Sequence, residues 1–273
     1  MPLGSIAVAW LLHSEDPLLF WRAAAYLAVW HFVRQQYGWV AWYRRAAGET
    51  GTVGRVIDLA AIHAATLVPL IHWHAALPRR FEWFTAGDFV SLPDSFVTRW
   101  LLIAAWAIWW IALGAYAIKG SVAALRRRAR PGKDLVVAST ALLWYLGIVR
   151  FDSDYAFTVT NVLIHGVPYL VLIVAYRAGM LARTERLDEV PAEAPSVRMH
   201  RVLRIALVVL ATVWGAAYLE ELLWDRMVWH ERPWLFGSGD DQGSATSLWV
   251  ALLAAPQLSH YVLDGFLWRR KDR

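Results

Sequence analysis

Long apolar runs separated by short clusters of charge set the pattern of this chain. Seven runs occupy about residues 17–43, 56–77, 96–118, 135–149, 155–176, 202–224 and 245–268, against the roughly 20 helical residues that cross a bilayer core. Charges are bunched between these runs rather than spaced at helical or strand period. The pattern predicts an all-α, polytopic integral membrane protein with seven transmembrane helices.

Loop charges give the expected orientation. Arg44, Arg45 and Arg55 follow the first run, Arg126, Arg127, Arg128, Arg130 and Lys133 the third, and Arg177, Arg183, Arg186 and Arg198 the fifth. Arg269, Arg270, Lys271 and Arg273 end the chain, whereas the alternate loops are mixed or acidic. Alternation of this kind places the N-terminus outside and the C-terminus in the cytoplasm.

The connecting pieces carry further expectations within one transmembrane domain over 1–273. Ile6 to Leu12 is too brief to span and lacks the start and cleavage site of a signal peptide. The segment 1–16 therefore reads as an interfacial helix or the remnant of a longer N-terminus. Residues 182–200, with Glu185, Asp188, Pro191 and Pro195, read as a flexible cytoplasmic loop. Trp83, Phe84, Trp229 and Trp234 mark interfacial caps in the outer loops. There is no internal repeat and no nucleotide-binding glycine pattern.

Composition narrows the class. The chain is 58% hydrophobic with 18 tryptophans, and its mean hydropathy is +0.38. Only 18% of residues are charged, below the roughly 25% of soluble domains. The net charge of +5 could suggest nucleic acid, but the arginines sit where orientation signals sit, so no nucleic-acid partner is expected. Arginine far outnumbers lysine, as a GC-rich bacterial genome favours, and the expected location is the bacterial cytoplasmic (inner) membrane. The absence of cysteine excludes disulfides, thiolate metal sites and iron–sulfur clusters.

Candidate chemistry lies in the few polar residues inside the apolar runs. Such groups cost several kcal/mol unless they meet a partner, water or a metal. The last run reads Gln257-Leu-Ser-His260-Tyr-Val-Leu-Asp264, so His260 and Asp264 share a helical face with Gln257 one turn earlier. His31, His63 and His165 stand singly in three other runs, each able to reach one layer if the helices are neighbours. Gln35 and Asn161 lie one turn from His31 and His165. Four imidazoles from separate helices suit a transition metal, with Asp264, Gln35 and Asn161 as orienting or shell-completing groups. His74, near the outer boundary, could as easily meet water. Asp58 reads as a carboxylate favouring a helix N-terminus, and Arg34 as a snorkelling side chain. Pro168, after Gly166, predicts a kink in the fifth helix.

Known families give little further guidance. The HxxxH and HxxHH boxes of membrane desaturases are absent, and the seventh run lacks the Schiff-base lysine of microbial rhodopsins. Placing single histidines on several helices is similar in design to bacterial carotene-cleaving membrane dioxygenases, without a shared motif. The expected function is a histidine-ligated, membrane-embedded metalloenzyme. Iron is the first choice of metal, in an oxygenase, hydroxylase or desaturase acting on an apolar or lipid-like substrate. The same residues also fit a proton-coupled transporter or channel. A haem protein, or a structural subunit with membrane-protein partners, is a third reading.

Overall fold

The computed structural model describes residues 2–187, 195–239 and 242–267, omitting some side chains at the segment ends, Asp264 among them. The regular structure among the described residues is entirely helical: α1 (Pro2–Glu15), α2 (Pro17–Ala46), α3 (Thr52–Ala76), α4 (Phe96–Leu125), α5 (Pro131–Trp144), α6 (Asp154–Asn161), α7 (Val167–Leu187), α8 (Pro195–Trp224), α9 (Pro233–Phe236) and α10 (Thr246–Leu267). Three π-helical turns, Tyr145–Arg150, Val162–Gly166 and Asp225–Trp229, extend or join these helices. The second carries His165 and ends two residues before Pro168.

Among the described residues, five stretches are long and apolar enough to cross a bilayer: Thr52–Ala76, Phe96–Leu125, Pro131–Arg150, Asp154–Gly179 and Met199–Trp229. The chain is read accordingly as an integral membrane protein. The remaining apolar runs of the sequence, the first and the seventh, are also helical, as α2 and α10. The reason they fall outside the five is informative. α2 carries Arg22, Arg34, Gln35 and Gln36, and α10 carries Gln257 and His260, so polar residues dilute the two helices that bear most of the candidate chemistry.

The chain forms two compact units, Met1–Ile164 with Ala255–Arg273, and His165–Ala254. In the first, α2, α3, α4 and α5 pack through small residues. Ala24, Ala25, Ala28, Ala61, Ala64, Ala65, Ala105 and Ala112 are all buried. Small side chains let helix backbones approach closely where lipid supplies no hydrophobic drive between helices. Bulk is concentrated in one cluster of Trp73, Trp144, Phe81, Phe89, Ile148 and Ile164. Helix starts are locally encoded. Asp16 caps α2 by accepting from the Leu19 amide at 3.1 Å, ahead of Pro17, and Ser95 caps α4 by accepting from Thr98 at 3.1 Å.

The loop between α3 and α4 packs against the helices of the first unit. Phe81 and Phe89 are buried, and the Trp83 ring lies 4.6 Å from Phe157 and 5.0 Å from Phe89. Asp88 accepts from the Trp83 and Phe84 amides at 3.0 and 2.8 Å, and burial pushes its carboxyl above the usual carboxylate range. Gly87, at φ +80°, turns the loop so that its carbonyl accepts from Arg22 Nε at 2.8 Å.

In the second unit α7 packs on α8, and the apolar stretch of α8 is unburied within the chain. Trp229 stacks on Trp224 at 5.7 Å, while Trp234 is 81% exposed. The expected loop at 182–200 is shorter than read. α7 runs to Leu187 and α8 starts at Pro195, because Leu, Ala, Arg and Glu favour helix despite their polarity. The rest of that loop, 188–194, lies outside the described residues.

Candidate metal centre

The buried stripe of α2 runs Ala24, Ala28, His31, Gln35 and Gly38, the i, i+4, i+7 spacing of one helical face. His31 and Gln35 have no exposed surface. The His31 ring faces α10, 4.7 Å between centroids from His260 and 4.7 Å from Tyr261. Tyr261 is buried and its hydroxyl accepts from Gln257 Nε2 at 2.6 Å. Gln257 therefore orients Tyr261, the residue beside His260.

His165 lies in the π turn Val162–Gly166. The preceding residue, Ile164, is buried, and its carbonyl accepts from Gln36 Nε2 at 3.1 Å. Gln36 is itself held by Thr140, whose hydroxyl donates to Gln36 Oε1 at 3.0 Å. A chain of hydrogen bonds from α5 through α2 thus fixes the backbone one peptide bond from His165. The imidazole nitrogens offered by His31 and His260 lie within 4.8 Å of each other. An ion bound at about 2.1 Å by each nitrogen needs them roughly 3–3.5 Å apart. Binding would therefore draw the rings inward by about 1 Å, within the reach of side-chain torsions.

The other residues singled out in the sequence lie elsewhere. His63 is outside this group: its Nδ1–H donates to the Leu59 carbonyl at 2.8 Å and its ring lies 5.7 Å from Tyr37. His74 likewise donates to Leu70 at 2.7 Å and receives the Tyr26 hydroxyl at 2.9 Å. Asn161 is half-buried at the end of α6. The Asp264 side chain lies outside the described residues.

Asp58 is the clearest correction. It is not a simple helix-end charge but a fully buried carboxylate that accepts from Arg44 at 2.5 Å, Lys119 at 2.5 Å and Lys133 at 3.3 Å. Glu49 joins the cluster through Lys133, at 2.7 and 2.8 Å, and Arg44, at 3.2 Å. Arg44 and Lys133, read as loop charges setting orientation, are buried partners of this network. Sequence reasoning also passed over Gln36 and Tyr261. The adjacent glutamines at 35 and 36 within an apolar run were the available signal.

A groove of about 490 Å³ lies between α1, α2 and α10, lined by Val8, Leu12, Leu27, Leu258 and Val262 among others. Leu27 is one turn from His31, and Val262 is two residues from His260. The wall is apolar apart from Ser5 and Ser259, whose hydroxyls are 3.2 Å apart. No family model, no curated protein and no solved structure matches this chain.

Proposed function

We propose that the protein binds one transition-metal ion through His31, His165 and His260 and uses it in oxidative chemistry on an apolar substrate. The carrying observation is a pair of imidazoles from separate helices, His31 of α2 and His260 of α10, with nitrogens within 4.8 Å of each other; His165 is proposed as the third ligand. Neutral imidazole is the ligand that iron, copper and zinc share, and a cysteine-free chain offers no thiolate. Iron fits oxygen chemistry best, with Tyr261 and Gln35 as the polar groups beside the ligands. In this reading the chain is an oxygenase, hydroxylase or desaturase of the bacterial cytoplasmic membrane, with seven spans, an outer N-terminus and a cytoplasmic C-terminus. The apolar groove along α1, α2 and α10 supports a lipid-like substrate approaching the same helices.

The ring geometry favours a bare ion over haem. His31 and His260 are 4.7 Å apart at 60°, closer than two rings ligating opposite faces of a macrocycle.

Elemental analysis of protein purified without chelators tests the proposal. About one equivalent of iron or another transition metal per chain is expected, with no Soret band. A metal-free protein that also fails to take up iron(II), copper(II) or zinc(II) overturns it.

A further inference from the structure

Where α2 and α4 end and α3 and α5 begin, a cavity of about 570 Å³ opens above the Asp58 cluster. Its lining carries six cationic side chains, Arg44, Lys119, Arg126, Arg128, Arg130 and Lys133, against two carboxylates, Glu49 and Asp134. The inner cations are committed: Arg44, Lys119 and Lys133 hold Asp58 and Glu49. Asp134 accepts from the Tyr116 hydroxyl at 2.8 Å. Arg126, Arg128 and Arg130 are exposed at the mouth, and no carboxylate among the described residues pairs with them.

Backbone geometry adds to this excess of positive charge. α3 starts after Gly51 and α5 after Arg130, neither with a side-chain cap, and both cap residues line the cavity. Their first amides carry the partial positive charge of a helix start. Gly48 and Gly51 leave open space at the wall, so an anion can approach the backbone closely. Arg127 takes a left-handed conformation, φ 55°, where glycine is the usual residue. The reversal closes α4 through Arg128 N to Ala123 O at 2.7 Å and brings Arg128 and Arg130 back over the opening. Strain of this kind persists where surrounding structure imposes it and clusters at ligand clamps.

We propose that this cavity binds a phosphate-bearing anion, its oxygens taken by Arg126, Arg128 and Arg130 above Lys119 and the start of α3. Arginine suits a phosphate because its planar fork donates two parallel hydrogen bonds. The same chemistry is offered by an anionic phospholipid headgroup at the membrane surface and by a soluble phosphate, and the test separates them. The site is independent of the histidine centre.

The full-length protein in neutral detergent is studied by native mass spectrometry with phosphatidylglycerol or phosphatidylcholine, and by thermal unfolding with inorganic phosphate against chloride at equal ionic strength. One phosphatidylglycerol retained per chain in preference to phosphatidylcholine identifies a headgroup site. Protection by phosphate alone identifies a soluble ligand, and both together show that the phosphate group suffices. Replacing Arg126, Arg128 and Arg130 with glutamine weakens the effect by about a hundredfold at low salt, and replacing all three with lysine keeps most of it. These exposed side chains leave the Asp58 cluster intact, so an unchanged far-UV spectrum is expected in both variants. Equal retention of the two lipids together with no phosphate protection overturns the proposal, as does binding that survives the glutamine variant.

Discussion

Gln36 donates from its side chain to the carbonyl of Ile164 at 3.1 Å, across 128 residues of sequence, and so holds the residue that precedes His165. Both partners are buried. Replacing Gln36 with leucine removes a hydrogen bond from a buried carbonyl, at a cost of about 1–3 kcal/mol. Metal affinity is expected to fall about 10- to 100-fold, as for other groups that orient a ligand. Competitive chelator titration alongside a thermal melt measures the two losses separately. Unchanged affinity in a destabilised protein would show that Gln36 serves packing alone.

The histidines divide into two classes. His31→Ala and His260→Ala are expected to remove bound metal, whereas His63→Ala retains it, because His63 is committed to the Leu59 carbonyl and lies on Tyr37. Metal content of the three purified variants, each checked for monodispersity, provides the comparison. Loss of metal in His63→Ala with retention in His31→Ala would reverse the assignment.

Removing Asp58 strands three cations. Asp58→Ala is expected to destabilise the first unit by about 3–5 kcal/mol, the usual cost of breaking a buried ion pair from one side. Replacing Lys133 with methionine in the same chain relieves part of that loss. A double-mutant cycle on unfolding in detergent measures the coupling; strictly additive losses would mean that the 3.3 Å Lys133–Asp58 contact contributes nothing.

Gly147 lies in the π turn after α5, buried against Thr160 of α6. An added Cβ would overlap the Thr160 hydroxyl oxygen and come within 3.2 Å of Thr160 Cβ. Gly147→Ala is therefore expected to cost about 1–3 kcal/mol through overpacking. Thr160→Ser does not relieve the clash with the hydroxyl, whereas Thr160→Ala does, and the melting temperatures of the two double variants decide between clash and helix propensity.

His13 supplies a pH dependence. It is buried beside Phe20 and Trp21, at 5.4 and 6.3 Å between ring centroids, and burial lowers its pKa from the ordinary 6.5. A histidine depressed in the folded state takes its proton first in the unfolded chain. Stability is thus unaffected by this group well above pH 6.5 and falls as pH drops below 6.5 towards the lowered folded value. Melts at pH 7.5 and 5.5 should differ by more in the native protein than in His13→Phe. An equal difference in both would assign the effect to other groups.

Helical class and the position of the apolar stretches were legible in the sequence because burial in lipid demands long apolar runs, whatever those runs pack against. The histidines were also visible as isolated polar residues inside such runs. Their grouping was not. Helical period says which residues share a face, but not which faces meet, so His63 and His31 looked equivalent until α3 turned His63 onto Tyr37. Asp58 was misread for the same reason. Its partners at 44, 119 and 133 come from three other helices, and nothing local distinguishes a buried arginine from one that marks a cytoplasmic loop. The sequence by itself determined that this chain is helical, apolar and cysteine-free, since hydropathy and composition act residue by residue. Only the tertiary structure decided which polar side chains converge, because that depends on helix rotation and neighbour choice, set by the packing of small residues and by long-range hydrogen bonds such as Gln36 to Ile164.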